Sequence, residues 1–333
     1  MNFKKYSDNL LYSSFNHTND CVVFGTLNGF YVYTVSPFKK IISRKIMGGV
    51  SIVKMLYKSN IIVFVGNDNT SLYPDNKLII WDDDKQKVIG EIAFNEKIIN
   101  FILSKTNIII ILYKKIYIYN FKNLNLIKTY NTNNNTLGLC KVFNDLIIYP
   151  TNNIGEITIS NYKVKNCNNT KSIKCHENKI QLFNIDKSGQ YLVTSSTKGT
   201  IIRIYNLQTF DIVKELRRGS DYTTIVDLNF SPDLKYLLCS SIKGTIHIYN
   251  MSFNNNTNMF TYLLPEYFNS DWSIIKFYLN NISYSTFIEE NTNNIITICN
   301  DGCFYNLLLN IEENCGNINN TYKFILDNDP FSN

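Results

Sequence analysis

Long apolar runs are missing from this chain: the longest, Ile108 to Tyr113, is far below the ~20 residues a membrane-spanning helix requires. No sustained apolar stretch follows Met1 to Asp8, so a signal peptide is not expected and the reading is a cytoplasmic protein. The eight cysteines have no metal-binding spacing, the nearest pairs being Cys167 with Cys175 and Cys299 with Cys303, and they read as reduced, mostly buried thiols. A formal charge of +6, from 33 basic and 27 acidic residues, lacks the dense basic stripe that nucleic acid demands, so no nucleic-acid partner is expected. Carboxylate pairs, a glycine-rich phosphate loop and triad spacing are also missing. The neighbours Cys175 and His176 do not make a nucleophile dyad, because no oxyanion motif accompanies them. No enzyme, cofactor or metal is expected.

Helical periodicity over ten or more residues is likewise absent, and prolines number six. Present instead are 23 tyrosines, 21 phenylalanines and a repeated unit: a turn, often with glycine, then a strand closing on an aromatic or β-branched residue. The unit ends at Tyr33, Trp81, Tyr119, Ile159, Tyr205, Tyr249 and Tyr305, at intervals of 38 to 56 residues. That is the period of four-stranded propeller blades. Further strands fit the same layout at Cys21 to Gly25, Ile61 to Gly66, Asn107 to Tyr113, Leu146 to Pro150, Tyr191 to Ser195, Tyr236 to Ser240 and Ile295 to Asn300. The expected fold is all-β, a seven-bladed WD-repeat-type β-propeller that uses residues 1–333 as a single domain. Asparagine-rich stretches at 131–135, 166–170 and 253–258 read as blade-edge loops, since short amides stabilise turns. A terminal segment, near Leu10 to Phe15 or Tyr322 to Leu326, is expected to complete the last blade.

Between two strand-like runs lies Leu216-Arg217-Arg218-Gly219-Ser220. In extended chain, successive side chains point to opposite faces, so Arg217 and Arg218 serve two different places. A guanidinium presents a planar fork that matches a phosphate, and glycine removes a Cβ from the approach of a bulky headgroup. The same alternation puts Arg203 on one face with Ile201 and Tyr205, and Thr200 on the other with Ile202 and Ile204.

This segment resembles the Phe/Leu-Arg-Arg-Gly hallmark of the PROPPIN (WIPI-type) family, the phosphoinositide-binding β-propellers of autophagy, in its Leu-Arg-Arg-Gly branch. Other runs are similar to family segments in family order: Gly48-Gly49-Val50, Leu72 to Lys77 leading into Ile80 to Asp83, Ser196 to Tyr205, Gly244 to Tyr249, and Leu264 to Phe268 with Trp272-Ser273. The resemblance implies two headgroup sites. The first would comprise His176, Ser196, Lys198, Thr200, Arg203 and Arg217. The second would comprise Arg218, Ser220, Ser241, Thr245 and His247. One departure is Tyr222, where some relatives carry a basic residue near the second site.

By the same resemblance, the loop after Tyr249 enters the bilayer through Met251, Phe253, Met259, Phe260, Tyr262 and Leu263. The implied ligands are PtdIns3P and PtdIns(3,5)P2. The implied location is peripheral, on preautophagosomal, endosomal or vacuolar membranes. A surface near Asn67 to Lys77 is expected to meet the bridge-like lipid-transfer protein of autophagy, and a monomer is expected in solution. The alternative reading is a WD-type protein-interaction scaffold without lipid binding.

Overall fold

The computed structural model describes residues 10–68, 71–164, 170–252 and 270–323. Their strands form seven sheets in chain order, antiparallel but for one edge strand, the blades of a β-propeller, with no helix among the described residues. Each of the seven repeat units of the sequence is the third strand of a blade, for example Lys77–Asp82 in blade 2 and Ile201–Asn206 in blade 5. The additional runs expected as strands are the second strands, such as Tyr191–Ser196 and Tyr236–Ser241.

Second strands are legible because both their faces are nearly dry, and third strands because little of them is exposed. Asn107–Ile111 is buried at every residue. The reason is that blades pack face to face: one core joins Val23, Phe30 and Val32 of blade 1 to Val53, Ile62 and Phe64 of blade 2, and another joins Ile202, Ile204 and Leu216 of blade 5 to Leu228, Leu237 and Tyr249 of blade 6. Outer strands alternate instead, as in Lys39–Lys45, whose odd positions are exposed.

Two compact units divide the chain: residues 1–139 with 300–304 and 322–333, and residues 140–299 with 305–321. In the first, Phe38 of blade 1 packs at a tilt against Phe304, ring centroids 4.1 Å apart, and stacks on Tyr322 at 5.8 Å. Tyr322 lies in Cys315–Lys323, the fourth strand of blade 7, so the C-terminal alternative describes how that blade is completed. Leu10–Phe15 is the first strand of its own blade, next to Cys21–Thr26, and is not donated to blade 7.

The second unit holds one irregularity. Blade 5 comprises Ile180–Ile185, Tyr191–Ser196, Ile201–Asn206 and Ile212–Arg217, and gains a fifth, parallel strand, Asp271–Trp272. This strand comes from the chain on its way to Ile275–Tyr278, the outer strand of blade 6.

Candidate functional site

Leu216 and Arg217 close the fourth strand of blade 5, paired with Ile202 and Ile201 on one side and with Asp271 and Trp272 on the other. Leu216 is buried in the core shared with blade 6, so Arg217 projects from the opposite face and is half-buried. Arg218 stands just past the strand. Its amide donates to the Thr200 carbonyl at 2.9 Å, its Nε donates to the Gly199 carbonyl at 2.9 Å, and its Nη2 donates to the Asp221 carbonyl. Only 7% of Arg218 is exposed, its guanidinium turned inward onto two backbone carbonyls. Gly199 makes the geometry possible. Its φ is +64°, and a Cβ there would lie 1.8 Å from the Thr223 carbonyl oxygen. A Cβ on Gly219, by contrast, would meet open space.

The first candidate set lies along blade 5. His176 is buried and its Nε2 bonds Thr194 Oγ1 at 3.0 Å. Burial, reinforced by the positive charge of Arg203, lowers its pKa to about 4, so the imidazole is neutral at pH 7. Arg203 faces Glu215 across the strand pair, donating from Nε at 2.9 Å, and donates from Nη1 to the Cys175 carbonyl at 2.7 Å. Arg203 is therefore a cation already held by protein acceptors. Ser196 and Thr200 are buried at either end of the turn that carries exposed Lys198. The Lys198 ammonium sits over the Tyr222 ring, 5.2 Å from its centroid. Tyr222, expected beside the second set, thus meets a member of the first.

Blade 6 carries the second set. Ser241 Oγ and Thr245 Oγ1 are 3.2 Å apart across a turn. His247 is buried, with Nδ1 bonded to Ser273 Oγ at 3.1 Å. Burial lowers its pKa to about 4, with Lys276 and Arg218 adding to the effect. Arg218 thus adds to the shift of the His247 imidazole in blade 6, as Arg203 does for the His176 imidazole in the connection from blade 4 to blade 5. Exposed Ser220 donates to the Asp221 carboxylate at 3.3 Å, and that carboxylate lies 3.5 Å from the Lys243 ammonium.

Of the expected membrane loop, Phe253, Met259, Phe260, Tyr262 and Leu263 lie outside the described residues. Met251 does not belong with them. It is 1% exposed in the core between blades 5 and 6, because its amide continues the sheet edge by bonding the Lys235 carbonyl at 2.7 Å. Both ends of the segment are tied to blade 5. The Lys214 ammonium holds the Ser252 carbonyl at 3.0 Å and the Asp271 carboxylate at 2.9 Å, and Ser270 Oγ donates to the Glu215 carboxylate at 2.9 Å.

In blade 2, Leu72 is 59% exposed beside Met47, whose carbonyl accepts its amide at 3.1 Å. Gly48 and Gly49 hold φ of +85° and +84°, and a Cβ on Gly48 would strike Ser71. Gly48 therefore lets this turn lie against Ser71, and Gly49 lets it lie against the Thr26 and Leu27 backbone.

Sequence reading overlooked Thr194, Glu215, Lys243, Ser273 and Lys276. The signal for Glu215 was its place two residues before Arg217, on the same strand face. Ser273 and Lys276 had none, since only the fold returns that segment to the second set. Cys175 is fully buried, donates from Sγ to the Ile173 carbonyl at 3.6 Å, and has its pKa raised to about 12, mainly by burial. Such a thiol is unfit as a nucleophile. Among the described residues there is no His/Cys/Asp/Glu group that could hold a metal, and no helix long and apolar enough to cross a membrane.

A family model described as PROPPIN matches residues 10–279. The chain is 34% identical over 250 residues to SVP1-like protein 2 of Schizosaccharomyces pombe, a match covering 73% of this chain and 68% of that one. It is 33% identical over 259 residues to Autophagy-related protein 18e of Arabidopsis thaliana, covering 74% and 68%. The solved structure of Kluyveromyces lactis Hsv2 with a complete loop 6CD superposes with a TM-score of 0.80 at 25% identity, covering 95% of this chain and 99% of that one.

Proposed function

Since the chain belongs to the PROPPIN family, we propose that it is a phosphoinositide effector acting in autophagy, which binds PtdIns3P and PtdIns(3,5)P2 through two headgroup sites. The observation that carries this reading is the divergence of the arginine pair: Arg217 ends the blade 5 sheet, whereas the Arg218 guanidinium turns to the carbonyls of Gly199 and of Asp221, whose carboxylate meets Lys243 of blade 6. One dipeptide serves two phosphate cradles. Each cradle combines hydroxyls, a neutral imidazole and a cation, which suits a phosphorylated inositol ring. With His176 and His247 neutral, the positive charge comes from Arg217, Arg218, Lys198 and Arg203, and the Arg203 charge is partly offset by Glu215.

A charge-assisted hydrogen bond contributes about 1.5 to 3 kcal/mol net, so one cradle binds modestly. Two cradles and an apolar loop, Phe253 with Met259, Phe260, Tyr262 and Leu263, make later contacts intramolecular and hold the protein on a membrane. Burying one such side chain adds about 1.5 to 3 kcal/mol when complete. The role is adaptor rather than enzyme, peripheral on PtdIns3P-bearing membranes, with the exposed Leu72 surface of blade 2 as the contact for a lipid-transfer partner of autophagy.

The scaffold reading has one observation in its favour: Arg203 and Arg218 both spend donors on protein acceptors. Calorimetry with soluble inositol 1,3-bisphosphate separates the two. A lipid effector takes up the headgroup with a stoichiometry above one, and Arg217→Thr removes the blade 5 component. A scaffold releases no heat with this ligand.

A further inference from the structure

Four aromatic side chains are exposed among the described residues: Tyr222 at 71%, Tyr278 at 69%, Trp272 at 45% and Tyr322 at 45%. Three of these four stand beside the two arginine cradles. Trp272 is the register partner of Arg217, on the parallel strand that blade 5 gains. Tyr278 is the register partner of Thr245. Tyr222 follows Asp221, whose carbonyl holds Arg218, and its ring lies under the Lys198 ammonium. Along Ile275–Tyr278 burial alternates, so Lys276 and Tyr278 share the exposed face while Ile275 and Phe277 fill the core. The acids here are matched by cations: Asp271 by Lys214 at 2.9 Å and Asp221 by Lys243 at 3.5 Å.

From this arrangement we infer that Tyr222, Trp272 and Tyr278 form an aromatic rim that seats the two cradles in the interfacial layer of a lipid bilayer, independently of the 253–269 segment. The inference rests on the phosphoinositide reading above. Indole and phenol rings favour the zone where headgroups meet acyl chains, having an apolar body and one polar atom that stays hydrated. Lysine stems beside them lay methylenes along the same zone and keep the ammonium among phosphates. A protein or peptide partner would also be met by aromatics, but the cations interleaved here, Lys198, Lys276 and Lys243, favour an anionic lipid surface.

The chain has two tryptophans, Trp81 and Trp272, so Trp81→Phe leaves Trp272 as the only indole reporter. Mixed with phosphatidylcholine vesicles containing PtdIns3P, this variant is expected to show a blue-shifted emission that brominated acyl chains quench, and neither effect without PtdIns3P. Unchanged emission from protein that co-floats with the vesicles overturns the rim while leaving the lipid reading intact. Failure to co-float with any phosphoinositide overturns both. In a second arm, Trp272→Ala with Tyr278→Ala should lower vesicle affinity about tenfold while binding of soluble inositol 1,3-bisphosphate stays within about twofold of wild type. An equal loss in both assays would place these rings in the headgroup cradle rather than on the membrane, and would also overturn the rim.

Discussion

Arg217 and Arg218 are neighbours with different fates. Arg218 is buried against two backbone carbonyls, so Arg218→Thr leaves both acceptors without their donor inside the protein. An unsatisfied buried polar group costs about 1–3 kcal/mol, and thermal denaturation should show Arg218→Thr destabilised by that order. Arg217→Thr should melt close to wild type and lose vesicle binding in part. Equal melting temperatures for the two variants would contradict the burial assigned to Arg218. Alternation in the sequence correctly separates the two side chains, but it does not reveal that one is internal, because the Gly199 carbonyl that captures it belongs to another turn.

His176 and His247 make the stability depend on pH in a definite direction. Their folded-state pKa, about 4, lies below the unfolded value of about 6.5. Between those values the unfolded chain binds protons that the native state does not, so stability is full above pH 6.5 and declines as pH falls toward 4. Asp227, raised to about 6 mainly by burial, acts oppositely below pH 6. The comparison that isolates the histidines is therefore wild type against His176→Gln with His247→Gln. The variant should lose less stability than wild type between pH 7 and about 4.5, as read by denaturant midpoints. Parallel curves would show that the imidazoles take up protons as readily in the native state as in the unfolded chain.

At the scale of elements, turns decide how the cradles are shaped. Gly199→Ala places a Cβ 1.8 Å from the Thr223 carbonyl oxygen at a φ of +64°, and the Gly199 carbonyl is the acceptor for Arg218. This variant should be strongly destabilised and lose binding at both sites. Gly219→Ala should fold with wild-type stability, since a Cβ there meets open space, while binding of the soluble headgroup weakens. Undiminished headgroup affinity in Gly219→Ala would mean that the ligand does not approach this backbone. Second and third strands were legible because blade packing buries all or most of their surface and selects Ile, Val, Tyr and Phe. The Asp271–Trp272 strand was not: two residues carry no periodicity, and its partner is 55 positions upstream in register. Met251 was misplaced for a related reason, as its apolarity fits a membrane loop and a core equally well, and only the Lys235 contact tells which.

At the scale of the whole molecule, packed blades bury their faces within each compact unit: blades 1, 2 and 3 in the first, blades 5 and 6 in the second. We expect residues 1–333 to unfold as one domain, with tryptophan fluorescence and far-ultraviolet circular dichroism following a single transition; separated midpoints would show that the units fold independently. Long-range charge attraction adds a further expectation. Raising salt from about 0.1 M to 1 M shortens the Debye length from about 10 Å to 3 Å, so vesicle binding should weaken but leave a salt-resistant fraction due to apolar contacts. Met259→Asp with Phe260→Asp should reduce that fraction. The family was legible because the Leu-Arg-Arg-Gly segment and its flanking runs are contiguous in sequence. The environment of each cradle was only partly so, since Thr194, Ser273 and Lys276 arrive there through tertiary structure.

The most direct measurement is co-flotation of the purified chain with vesicles of phosphatidylcholine alone, or with phosphatidylinositol, PtdIns3P or PtdIns(3,5)P2 added, for wild type and Arg217→Thr side by side. The account predicts that wild type floats with the two 3-phosphorylated lipids and with neither control, and that the stable Arg217→Thr variant floats markedly less. Wild-type protein that stays with the soluble fraction for every lipid, while folded and monodisperse, would contradict it.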